Sequence, residues 1–155
     1  MIRLGHYHAH ENPGGVEILE MRLLEVAVPQ GAYVRGWVSS PDLRTAYGLP
    51  PDALAVQLQL KAKAVCPTWS NENCVAMITA GLRKGGGIEQ TSDNVYAESW
   101  KPAGQVGVTP RTIGYNTVTV ALAEGKFEVL VQQNIVNHAA LDFNAFVVGY
   151  WHEGT

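Results

Sequence analysis

The run from Leu54 to Ala64 constrains this chain more than any other. Leu54, Val56, Leu58, Leu60, Ala62 and Ala64 alternate with Ala55, Gln57, Gln59, Lys61 and Lys63. Successive side chains of a strand point to opposite faces, so this alternation predicts a strand with one buried and one wet face. The same period recurs downstream. Val118, Val120 and Leu122 form one side of 116–122, and Phe127, Val129 and Val131 are the inward set of the next strand. In the last strand, Asp142 to Trp151, Phe143, Ala145 and Val147 lie opposite Asn144, Phe146 and Val148. Both faces are apolar near its end, which predicts a place in a sheet interior or against a partner.

Weaker signals fill in the rest. Leu19, Met21 and Leu23 share a strand face within 16–28, although Leu19, Leu23 and Ala27 also lie at helical spacing; the strand is preferred because Pro29-Gln30-Gly31 reads as a tight link. Ala32 to Val38, Val75 to Ala80 and Asn94 to Trp100 suit a pleated surface. Ser40-Pro41 predicts one short helix, with Ser40 as N-cap, Pro41 at the first helical position and Gly48 as the stop. The link from Cys66 to Cys74 reads as a hairpin end, and Glu124-Gly125 as a hairpin turn. The expectation is an all-β, jelly-roll-like β-sandwich of about eight strands with at most one short helix. Residues 16–155 form its single domain. Residues 1–15 form an N-terminal arm that ends in the breaker cluster Asn12-Pro13-Gly14-Gly15.

Composition narrows the partners. A chain of 155 residues holds one core. Hydrophobic residues at 46% against 16% charged exclude a solvating disordered chain. A net charge of −3 leaves no basic footprint for nucleic acid. The lack of any long apolar run argues against a membrane span. Met-Ile-Arg-Leu-Gly-His has no apolar region after its charged start, so synthesis and folding in a cytoplasm are expected. Low charge fits a surface covered by a neighbour, and equally a large β-core.

Few residues suggest chemistry. His6, His8 and His10 project from one side of an extended chain, and neutral imidazole binds zinc, copper, nickel or iron. Glu11 offers a fourth donor. The competing reading, adopted here, is an arm whose histidines hydrogen-bond or stack on a neighbour and hold no metal. Cys66 and Cys74 are the only cysteines. They are a disulfide candidate, bridged outside the cell or in a thermophile and reduced in a mesophile cytosol. No Gly-x-Ser-x-Gly elbow occurs, and Lys84-Gly85-Gly86-Gly87 lacks the Ser or Thr of a phosphate loop. Asp42, Asp52, Asp93 and Asp142 sit where turn chemistry explains them. No catalytic residue and no cofactor are assigned. Trp69, Tyr96, Trp100 and Tyr115 offer an aromatic platform for sugar rings, or ordinary strand packing.

Three resemblances follow. His6-Tyr7-His8 with Glu11 resembles the first motif of the metal-binding cupins, but around His138 the second motif's Pro-x-Gly is missing. Gly48-Leu49-Pro50, Ala53 to Leu60, Asn116 to Val120, Gly125 to Val129 and Val147 to Trp151 resemble, in the same order, the small β-domains of bacterial wall-associated proteins. In size, architecture and composition the whole chain resembles the jelly-roll capsid decoration proteins of tailed phages, thermophilic ones especially. The last resemblance implies a homotrimer on the virion surface that clamps the major capsid protein. A glycan- or receptor-binding fibre tip and a metal-dependent cupin-like enzyme are the alternatives.

Overall fold

The computed structural model describes residues 6–9, 15–24, 31–34, 37–68, 71–87, 94–105, 107 and 110–153, with side chains for all of these but 21–24 and 31–34. The elements run β1 (His6–Ala9), β2 (Val16–Leu24), β3 (Gly31–Val34), β4 (Val38–Ser39), α1 (Leu43–Ala46), β5 (Ala53–Val65), β6 (Cys74–Lys84), β7 (Val95–Lys101), β8 (Arg111–Ala121), β9 (Phe127–Val136) and β10 (Ala140–His152). They build two antiparallel sheets. One has the order β1–β10–β5–β8 with β2 also on β10; the other has the order β3–β9–β6–β7 with β4 also on β9. β2 runs along Ala140–Val147 of β10, and β1 runs along the same edge over Gly149–His152. β3 and β4 divide one edge of β9 in the same way.

The ten segments therefore fill eight sheet positions. The first position pairs with the eighth, the second with the seventh, the third with the sixth and the fourth with the fifth. A long hairpin rolled up on itself gives this nesting, and the fold is a jelly roll. Nesting sends most consecutive strands into opposite sheets. Two hairpin expectations are corrected by it. β5 and β6, joined through Cys66 and Cys74, lie in different sheets, as do β8 and β9. At Glu124-Gly125 the local turn does form: both residues have positive φ, 52° and 75°, and Ala123 and Lys126 exchange two 3.0 Å backbone bonds. Turn chemistry fixes the reversal of the chain but not the sheet that each flanking strand joins.

The alternation in β5 produces the core. Val56, Leu58, Leu60, Ala62 and Ala64 are fully buried, facing inward with Phe127 and Val129 of β9 and Leu141, Phe143, Ala145 and Val147 of β10. Leu54, expected in that set, is exposed instead at the rim of the sandwich. β10 is apolar on both faces because it is an inner strand, flanked by β5 on one side and by β1 and β2 on the other.

The short helix starts later than expected. Ser40 is tied to β9: its N–H donates to Phe127 O at 2.8 Å, and its hydroxyl accepts from Phe127 N at 3.0 Å. The capping role passes to Asp42, whose carboxylate accepts from Arg44 N at 3.0 Å. The expected arm is also modified. Its described part, His6–Ala9, is a strand on the protein's own last strand. The expected breaker residues Asn12, Pro13 and Gly14 lie outside the described residues.

Candidate functional site

Three groups of side chains stand apart from the core. The first lies where β1 meets the end of β10. The β10–β5 register shifts between Val147 and Gly149. Before this bulge the odd residues of β10 face the core; after it Tyr150 packs on the core, while Gly149 and Trp151 turn to the outer face. β1 reads the new phase, with Tyr7 opposite Trp151, His8 opposite Tyr150 and His6 opposite His152. On the outer face the Tyr7 and Trp151 rings lie 4.7 Å apart at 50°, and the Tyr7 hydroxyl donates to Gln57 Oε1 at 2.6 Å. On the other face His8 stacks on Tyr150 at 5.1 Å and 19°, and lies 4.5 Å from His152. His6 is 5.9 Å from His152, whose Nδ1 is 3.4 Å from an Asp52 carboxylate oxygen. Nearby, burial and then the electrostatic influence of the Tyr150 side chain push the Tyr47 hydroxyl up from its usual range.

His6 and His8 thus share a side, as the spacing required, but the His8 ring stacks on Tyr150 and both rings lie tilted against His152. His10 and Glu11 lie outside the described residues. Among the described residues no group of three His, Cys, Asp or Glu side chains is placed to hold a metal ion. Sequence reasoning missed His152 and gave Asp52 only a turn role. One signal was available: Tyr150-Trp151-His152 mirrors His6-Tyr7-His8 in an antiparallel sense.

The second group closes the opposite end of the sandwich. Cys66, just past β5, and Cys74, at the start of β6, are both fully buried and joined by a disulfide, with α-carbons 5.9 Å apart. The bond crosses from sheet to sheet. Lys101, the register partner of Cys74, is fully buried and donates its ammonium to Pro67 O. Ser99 Oγ is 2.9 Å from Ala64 O and 3.0 Å from Thr112 Oγ1. Gly104 N donates to Asn71 O at 2.6 Å and Gly107 N to Thr68 O at 3.0 Å. Asn137, with φ of 54°, donates its amide to Asn73 O at 2.8 Å, and the neighbouring His138, with φ of 67°, lies 3.7 Å from the Glu72 carboxylate. Two adjacent non-glycine residues in the left-handed region mark a turn held in place by its surroundings.

The third group is the aromatic set. Trp100 is 62% exposed, Tyr115 60% and Tyr96 48%. The Tyr96 backbone lies against Gly114, next to Tyr115, but the described rings stand on the outer faces of two different sheets. Tyr96 and Trp100 stand on the outer face of β7, where Tyr96 bonds to Glu98, whereas Tyr115 lies beside Lys61 on the outer face of the other sheet. Trp69 lies outside the described residues. A shallow groove of about 380 Å³ passes Ser39, Gly85, Gly86, Glu124, Lys126 and Glu128. Its Glu128 carboxylate is already engaged by Arg83 at 2.8 Å and by Gly86 N at 3.2 Å.

No protein-family model matches the chain, and comparison with curated proteins finds no match.

Proposed function

We propose that the protein is a non-enzymatic structural protein of a virion, a trimer that sits on the outside of a capsid and stabilises it by clamping coat subunits. The observation that carries this reading is the placement of exposed aromatic rings on the outer faces of rigid sheets: Trp100 and Tyr96 on one, Tyr115 on the other. Tyrosine and tryptophan are the residues that most often anchor protein contacts, because they bury large area with few rotatable bonds. Mounted on strands rather than loops, they lose little freedom on docking. Burial at roughly 25 cal/mol per Å² supplies the drive. Three such surfaces joined in one trimer bind far more tightly than one, because the later contacts form at high effective concentration. The jelly-roll body and the resemblance in size and composition to phage decoration proteins support the capsid setting.

The same Trp100, beside the disulfide-held end, favours a second reading as a glycan- or receptor-binding fibre tip. Light scattering at micromolar concentration and co-sedimentation with capsids test the first reading. A trimer that pellets with capsids supports it, and a monomer that stays in the supernatant defeats it. Sugar-dependent quenching of tryptophan fluorescence across a glycan panel would transfer the assignment to the second.

A further inference from the structure

We propose that the Cys66–Cys74 bond is a buried redox latch: thiol reductants do not reach it in the folded protein, and its reduction frees one end of the sandwich while both sheets persist. The inference is independent of the capsid reading and rests on the placement of the bond.

Both cysteines are fully buried. Reduction requires a thiolate to approach one sulfur in line with the S–S bond. The electron pair of that bond then passes to the second sulfur, which leaves as a thiolate and takes a proton. A dithiol such as dithiothreitol resolves the mixed disulfide with its second thiol. The net change is two protein thiols and one cyclic disulfide. With both cysteines buried, none of this begins until this end of the sandwich opens. Its described residues are held by Lys101 to Pro67 O, Gly104 N to Asn71 O, Gly107 N to Thr68 O and Asn137 to Asn73 O. Reductant access is therefore gated by local opening of this end.

The consequence of reduction follows from topology. The bond joins residues only 8 apart in sequence, so its loss releases a short stretch of chain. The two sheets remain joined by other means. The inward rows of β5, β6, β9 and β10 stay packed, and Ser99 Oγ still meets Ala64 O across the layers at 2.9 Å. The connection between Cys66 and Cys74 loses its covalent closure and with it the fixed positions of Asn71 and Thr68, the acceptors for Gly104 and Gly107.

The test is thiol release under dithiothreitol, followed by alkylation and mass measurement, in native buffer and in denaturant. Thiols should appear slower by on the order of 100-fold or more in native buffer. Hydrogen exchange on the reduced, alkylated protein should quicken at Gly104 and Gly107 and stay slow at Leu60 and Ile78. A Cys66→Ala, Cys74→Ala double variant provides the permanently open form and should keep the β-sheet circular dichroism of the parent. Equal rates of thiol release in the two buffers, or two free cysteines in protein extracted under alkylating conditions, would overturn the latch. So would an alanine pair that fails to fold, since the bond would then hold the whole sandwich rather than its end.

Discussion

The Tyr7 ring lies over the α-carbon of Gly149, so close that a Cβ at that position would collide with the ring. The hydroxyl reaches one strand further, to Gln57 on β5. A missing side chain on one strand is thus filled by an aromatic from its neighbour, which pins a strand whose every residue is exposed. Gly149→Val should expel the ring and release β1 while leaving the core intact. Amide exchange at residues 6–9 should rise to that of free chain with little change in melting temperature. A double-mutant cycle on Tyr7 and Trp151 should return a coupling of about 0.5–1.5 kcal/mol. Unchanged protection of β1 in the valine variant would show that Tyr7 is not the pin.

The contrast between Tyr7 and Leu58 explains what was legible in the sequence. Leu58 announces its own burial, because strand alternation is a local property that the packing merely uses. Tyr7 does not, because Gly149 is far along the chain, and the bulge before it sets it diagonally beside Tyr7, on the face that the ring covers. The disulfide pair falls between. Cys66 and Cys74 were near enough in sequence to be considered together, yet the assumed hairpin put them side by side in one sheet, whereas the rolled topology sets them across two. Ser40 fails for a similar reason. Its capping chemistry was sound, but a long-range bond to Phe127 claimed the hydroxyl, and Asp42 was next in line. His152 escaped notice, and Asp52 read only as a turn residue, because the register that brings the last strand beside β1 and the start of β5 is not written in any one of them.

Gln133 carries a cost that a substitution should recover. It points inward from β9, is buried, and neither its amide nitrogen nor its carbonyl oxygen has a hydrogen-bond partner among the described residues. Leaving such groups dry costs about 1–3 kcal/mol. Gln133→Met keeps the volume and removes the polar atoms, so it should raise the urea midpoint with the slope unchanged, by a gain of about 1–3 kcal/mol. A loss of stability would mean that the amide has a partner in solution.

The two phenylalanines of β10 should respond unequally. Phe143 faces the core with no exposure, while Phe146 stands on the outer face beside Gln59 and Glu17. Phe143→Ala removes the ring and leaves a cavity between two packed sheets, a loss of about 3–5 kcal/mol. Phe146→Ala opens no internal cavity and should cost clearly less. Denaturant melts of the isolated chain measure both. Equal losses would mean that the outer face is covered in solution, as an interface there would require.

Asp42 makes the stability of the helix corner depend on pH in a definite sense. The Arg44 guanidinium, bonded to the carboxylate at 2.8 Å, together with the Arg44 N–H and the charge of Lys126, holds the carboxyl at about 2, against an ordinary value of 3.8; partial burial opposes this. A carboxyl with a depressed pKa binds its proton less readily in the folded chain than in the unfolded one. Its contribution is therefore complete above the ordinary value and is lost as the pH falls through the folded one. Asp42→Asn keeps an acceptor for the helix cap but cannot pair with Arg44 as an ion. The melting temperature of the parent should exceed that of the variant from neutral pH down to about 4, and the gap should close toward pH about 2. Both partners are partly exposed, so added salt should narrow the gap at neutral pH as well. A gap that widens in acid would assign the stabilisation to a group other than this pair.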